Sequence, residues 1–242
     1  MSDFTAEDLF EAIDRLVGEL LARHGFDGPP VDAITLAQEA FDLTVREADD
    51  EDEPRPGRFG PRPPRFNRRE VVLRPDQSDE ARQAVCARAC ARGLMPAVLT
   101  RLGVAPGTEN KSAQGSLVGL IVPRLLLPTR WFERDARKAG YDLFALKARY
   151  PTAGYEMIAL RLLDLEEPCV IAVVDDGVVS TRRGNRASAT KKLTPAEQTC
   201  LELVGEHREP QTARRDGWTA RGWPVPSGPF GRIILRAVPD DV

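Results

Sequence analysis

Five consecutive acids, Asp49 to Glu53, run directly into Pro54 to Arg65, a stretch with five prolines and four arginines. No core can be built from this composition, because it holds too little apolar surface to offset the entropy of ordering the chain. The segment, placed at 48–66, therefore reads as a solvated loop. It separates two stretches of strand composition, Leu43-Thr-Val-Arg-Glu47 and Glu70-Val-Val-Leu-Arg74. The rest of the 242-residue chain is different, with apolar residues at 42% of the whole. That is enough for a folded core, and the length fits one large domain or two small ones.

Local signals divide the remainder into elements. Thr5, Asp32, Ser78 and Thr194 each precede a helical pattern and read as N-caps. Gly25 ends the first helix. Gly93 and Pro96 are expected to interrupt the helix that starts after Ser78, which resumes over Val98 to Leu102. Ser112 to Leu126 reads as a buried helix disturbed at Pro123, and Pro128-Thr129 opens another. Tyr141 to Tyr150 and Thr152 to Leu165 read as two short helices. Cys169 to Val174 and Val178 to Arg182 flank Asp176-Gly177, a hairpin signal. Trp218 to Arg236 holds two strands around a Pro/Gly-rich turn.

Several chemistries are excluded early. The two histidines, His24 and His207, are too far apart to supply a H-E-x-x-H zinc pair on one helix. Phosphate-binding and nucleophile-elbow glycine motifs are absent. A net charge of −3 gives no global field toward nucleic acid or an anionic membrane. Met1-Ser2-Asp3-Phe4 lacks the basic and apolar regions of a signal peptide, and no apolar run approaches a membrane span. A cytoplasmic protein with reduced cysteines is the expectation.

Several segments, in order, resemble one family. Val31-Asp-Ala-Ile-Thr-Leu-Ala-Gln-Glu-Ala-Phe41 is similar to the helix that opens ImmA/IrrE-type metallopeptidase domains. Val71-Val-Leu-Arg-Pro75 resembles the strand before the active-site helix, and Leu125-Leu-Leu-Pro-Thr-Arg-Trp-Phe132 the "LLLP" segment after the third-ligand helix. Tyr141 to Tyr150 with Ile158 to Leu162 resembles the two-helix unit that follows. The resemblance covers roughly residues 30 to 185. It implies an α+β, zincin-like domain with a short three-stranded sheet packed on helices.

The family's chemistry needs two zinc-binding histidines one turn apart, a glutamate base and a third ligand. Aligned on that pattern, Ala87 and Ala91 stand at the histidines, Arg88 at the base and Gly115 near the third ligand. All these positions are vacated. A shifted alignment puts Cys86 and Cys90 at the two histidines, and thiolates bind zinc well, but it leaves Ala87 where the base belongs. The bland reading makes both cysteines small packed side chains.

The 141–165 unit has helix-turn-helix dimensions, with Lys147, Arg149 and Arg161 available, although it can equally serve packing. Arg182, Arg183, Arg186, Lys191 and Lys192 could track phosphates, or form a solvated basic loop. Trp218, Trp223, Pro224, Pro226, Pro229 and Phe230 could form a peptide-binding surface or pack terminal strands.

The sequence therefore predicts a metallopeptidase-like domain over residues 1–165 and a small C-terminal α/β extension with a hairpin over 166–242. The expected function is that of a catalytically inactive, regulatory protein that binds a peptide or protein partner. No catalytic residue and no cofactor is expected, although the family implies zinc. The alternatives are a DNA-associated regulator using the 141–165 unit, and an atypical zinc peptidase with Cys86 and Cys90 as ligands.

Overall fold

The computed structural model describes residues 4–48, 69–105, 111–186, 190–226 and 231–240. These form a mixed α+β structure with eight helices, a two-stranded parallel sheet and a five-stranded antiparallel sheet. The chain divides into two compact units, Met1–Phe132 with Arg149–Ala153, and Glu133–Ala148 with Gly154–Val242.

In the first unit, α1 (Ala6–Arg23) starts at a capping box in which Thr5 and Asp8 satisfy each other's backbone N–H groups. Asp32 caps α2 (Ala33–Phe41), its carboxylate accepting from the Ile34 and Thr35 amides. Strands β1 (Thr44–Glu47) and β2 (Glu70–Leu73) pair in parallel, with Val45 opposite Val71. The acid run and the Pro/Arg stretch lie outside the described residues. Helices α3 (Asp79–Arg101), α4 (Lys111–Leu126) and the first turn of α5 (Thr129–Lys138) complete the unit.

The structure departs from the sequence expectations at three places. The small sheet has two strands among the described residues rather than three, because the apolar segments after β2 have helical spacing and are taken up by α3 to α5. Gly93 and Pro96 do not interrupt α3. Proline removes one N–H and frees the carbonyl four residues earlier, and here Arg92 and Pro96 both lie on the exposed face, where water can take that carbonyl. Finally, the buried apolar side chains of α4 begin only at Leu117 and continue through Ile121, Val122, Leu125 and Leu126. Its first turns, including Gly115 and Ser116, are exposed.

The second unit holds the end of α5, then α6 (Leu143–Arg149) and α7 (Tyr155–Arg161) with a 3₁₀ turn at Leu162–Asp164. Its sheet is built from β3 (Val170–Asp175), β4 (Val178–Gly184), β5 (Gln211–Arg215), β6 (Trp218–Val225) and β7 (Arg232–Pro239), in the order β4-β3-β7-β6-β5. Helix α8 (Pro195–His207) lies between β4 and β5 in sequence and covers one sheet face. Ala172, Val174, Leu235 and Ala237 on that face meet Cys200 and Val204 of α8.

Asp176 and Gly177 both have positive φ, 48° and 80°, as a two-residue hairpin turn requires. Asp216-Gly217 repeats that dipeptide, with φ of 51° and 74°, and joins β5 to β6. Strand β5 is not anticipated from the sequence, because Gln-Thr-Ala-Arg-Arg has no apolar alternation, and pairing with β6 supplies its structure. No described helix is long and apolar enough to cross a membrane.

Candidate functional site

The first unit contains a groove of about 1010 Å³. Its walls come from four places: Phe41 and Leu43 at the end of α2, Val71 and Val72 on β2, one face of α3, and Gln114, Gly115 and Val118 of α4. On α3 the lining residues include Val85, Ala89 and Arg92, spaced by four and three so that they share one stripe. Opposite them stand Gly115 and Val118 of α4.

Of the four positions that the resemblance aligns with the family's three ligands and base, Gly115 lines the groove, and a Cβ there would meet nothing within 4 Å. Ala87 and Ala91 do not line it. Both are 0% exposed and lie on the other face of α3, with Cys86, Cys90 and Leu94. Arg88 is exposed. The i,i+4 pairs of α3 that line the groove, Val85 with Ala89 and Ala89 with Gly93, hold no side chain that can bind a metal. The carboxylate in the lining, Glu70, is held at 2.5 Å by Arg46. No group of three or more histidine, cysteine or acidic side chains among the described residues could hold a metal. The zinc that the family resemblance implies does not fit the residues present.

Cys86 and Cys90 hold α3 against α2. Burial pushes the Cys86 thiol up to about 11, assisted by the nearby Asp32 charge. Burial pushes Cys90 to about 12. The Cys90 thiol donates to the Ala33 carbonyl at 3.9 Å. Beside it, Gln83 donates to Asp32 at 2.8 Å and accepts from the Ala33 amide at 2.7 Å. Burial alone would raise the Asp32 carboxyl, but hydrogen bonds from Gln83, Thr35 and the Ile34 and Thr35 amides hold it below its ordinary value. The junction is a sealed cap rather than a ligand set.

The cations of the second unit and of α6 have varied fates. Arg161 is buried and pairs with Asp164. No residue of α7 is exposed, and its Glu156 pairs with Arg232 at 2.9 Å. Lys147 is half-buried over the Tyr155 ring, at 5.4 Å from its centroid, while Arg149 is exposed. Arg182 is engaged by Glu197. Arg186 donates to the Glu166 carbonyl at 2.8 Å. Arg183, Lys191 and Lys192 remain exposed, but the outer face of α8 presents Glu202 and Glu206. In the C-terminal aromatic cluster, Trp223 is 1% exposed and packs inward, and Pro229 and Phe230 lie outside the described residues.

Arg92 was not singled out from the sequence as a groove residue. Its signal was its spacing: seven residues after Val85 is two helical turns, which returns to the same stripe.

No protein-family model matches the sequence, and no curated protein matches it. Among solved structures the chain is similar to a Mycobacterium tuberculosis transcriptional regulator. The two superpose with a TM-score of 0.63 at 16% sequence identity, over 95% of this chain and 76% of that chain. At this identity the likeness is one of fold.

Proposed function

We propose that this chain is a regulatory protein with a metallopeptidase-like fold of the ImmA/IrrE type and no catalytic metal centre, whose groove holds an extended segment of a protein partner. One observation carries the reading. The groove beside β2 is open and largely apolar, and Val85, Ala89 and Gly115, none of which can bind a metal, line it. A strand paired on one side, as β2 is among the described residues, can take a further extended chain along its other edge. In this reading the groove side of α3 is the stripe of Val85, Ala89 and Arg92, facing Gly115, and not Ala87 and Ala91, which are buried on the other face.

The test uses a fluorescein-labelled peptide of alternating valine and polar residues and the full chain. Binding that is abolished by Ala89→Trp, without loss of cooperative unfolding, is the expected result. No binding of any such peptide overturns the reading. Zinc above roughly 0.1 equivalents together with casein cleavage would also overturn it.

A second reading, a DNA-associated regulator, is favoured by the fold likeness to a transcriptional regulator and by exposed Arg183, Lys191 and Lys192. Lys147 and Arg149 of the 141–165 unit belong to it too. Binding of random duplex DNA at about 50 mM salt that weakens steeply as salt rises would support it, and absence of binding rejects it.

A further inference from the structure

The groove contains a charge that an apolar docking surface does not need. Arg92 lines it and is exposed, and among the described residues no carboxylate or carbonyl meets its guanidinium. The arginines around it are engaged. Arg82, on the same helix, pairs with Glu47, Arg69 pairs with Asp42 at 3.2 Å, and Arg46 occupies Glu70. Glu70 is thus committed elsewhere. Arg88, one turn before Arg92, is also exposed and adds a second cation to that side of α3. The apolar wall next to Arg92 comes from Val85, Met95 and Val118.

We propose that the occupant of this groove is an extended acidic peptide, in which a glutamate or aspartate carboxylate is held by Arg92 while its apolar neighbours fill the pocket between α3 and α4. This rests on the peptide-groove reading above and adds the chemistry of the ligand. A guanidinium presents a planar fork that matches a carboxylate in two parallel hydrogen bonds, so it discriminates charge and shape together. An extended chain places alternate side chains on opposite sides, so a carboxylate and an apolar side chain can address different walls of one groove.

The experiment compares three fluorescein-labelled peptides, with valine alternating with glutamate, glutamine or lysine, on the full chain and on Arg92→Ala. The expected result is a preference for the glutamate peptide over the glutamine peptide of about tenfold, and the weakest binding for lysine. Arg92→Ala should collapse the glutamate-to-glutamine ratio to about one, and Arg92→Lys should restore part of it. Equal affinities for glutamate and glutamine peptides in the unchanged chain overturn this inference and leave the groove reading intact. No binding of any of the three overturns both. Displacement of the glutamate peptide by random duplex DNA, lost in Arg92→Ala, also overturns it, because Arg92 would then be a phosphate contact.

Discussion

Arg182 of β4 and Glu197 of α8 form a buried ion pair, with side-chain exposures of 7% and 0% and an Nη2–Oε2 distance of 2.9 Å. The carboxylate does two jobs. It also accepts from the Thr194 amide at 2.7 Å, closing the capping box that starts α8. The guanidinium reaches the Thr190 carbonyl at 2.8 Å. One arginine thus ties the edge strand to the first turn of the helix that covers the sheet. A residue that resembles a phosphate contact in the sequence is a structural clamp.

Removing one side of this pair leaves a buried charge without a partner. Arg182→Met should lower unfolding free energy by about 3–5 kcal/mol, read from urea denaturation. Glu197→Met should cost a similar amount. The double variant should recover most of the loss, since well-packed apolar replacements of a buried pair are often close to neutral. A double variant as unstable as the singles would show that the cap matters more than the pair.

Gly222 of β6 is a contact point for α8. A Cβ added there would lie 2.7 Å from Leu235 Cδ2, 2.9 Å from Val204 Cγ2 and 3.1 Å from Cys200 Sγ. All three neighbours are buried in one cluster, so they have little room to yield. Gly222→Ala should destabilise the chain by about 1–3 kcal/mol through overpacking. Adding Val204→Ala should return part of that loss, measured as the shift in the urea midpoint.

The thiols respond to pH in a defined direction. Burial raises Cys86 and Cys200 to about 11 and Cys90 to about 12, from an ordinary 9.0, and raises Cys169 as well. The native state therefore holds these protons above the pH at which the unfolded chain releases them. Stability from this source is fully present below about pH 9 and is lost as pH rises toward 11 to 12. The urea midpoint should fall between pH 8 and pH 10.5. A thiol reagent at pH 8 should label the native chain far more slowly than the chain in denaturant. Rapid labelling of native Cys86 and Cys90 would contradict the sealed junction.

The two faces of α3 should respond differently to the same chemistry. Ala87 and Ala91 are 0% exposed, so Ala87→His with Ala91→His forces two imidazoles into a packed interface. That pair should cost about 2–6 kcal/mol together. Val85→His with Ala89→His places the rings in the groove and should be tolerated within about 1.5 kcal/mol. With Gly115→Glu added, the groove triple should acquire zinc in an equilibrium dialysis measurement, and the buried pair should not.

Much of this molecule is written locally. Thr5, Asp32, Ser78 and Thr194 cap helices because each side chain reaches an amide two or three residues ahead, an interaction that needs no tertiary partner. Asp176-Gly177 sets a hairpin because both residues tolerate positive φ. The alternation of Val71 and Leu73 marks a half-buried strand. These boundaries, the mixed α+β class and the absence of a histidine pair follow from the order of residues along the chain. That order could not determine which face of α3 meets the core, because alanine, arginine and cysteine occur all round that helix and no apolar stripe stands out. Packing against α2, through Cys90, Gln83 and Asp32, made that choice, burying Ala87 and Ala91 and turning Val85, Ala89 and Arg92 to the groove. In the same way, only the packing of α8 on the sheet decided that Arg182 is buried while Arg183 stays in water. A charge is placed by whichever partner lies opposite it in space, and that partner is not encoded in the residues beside it.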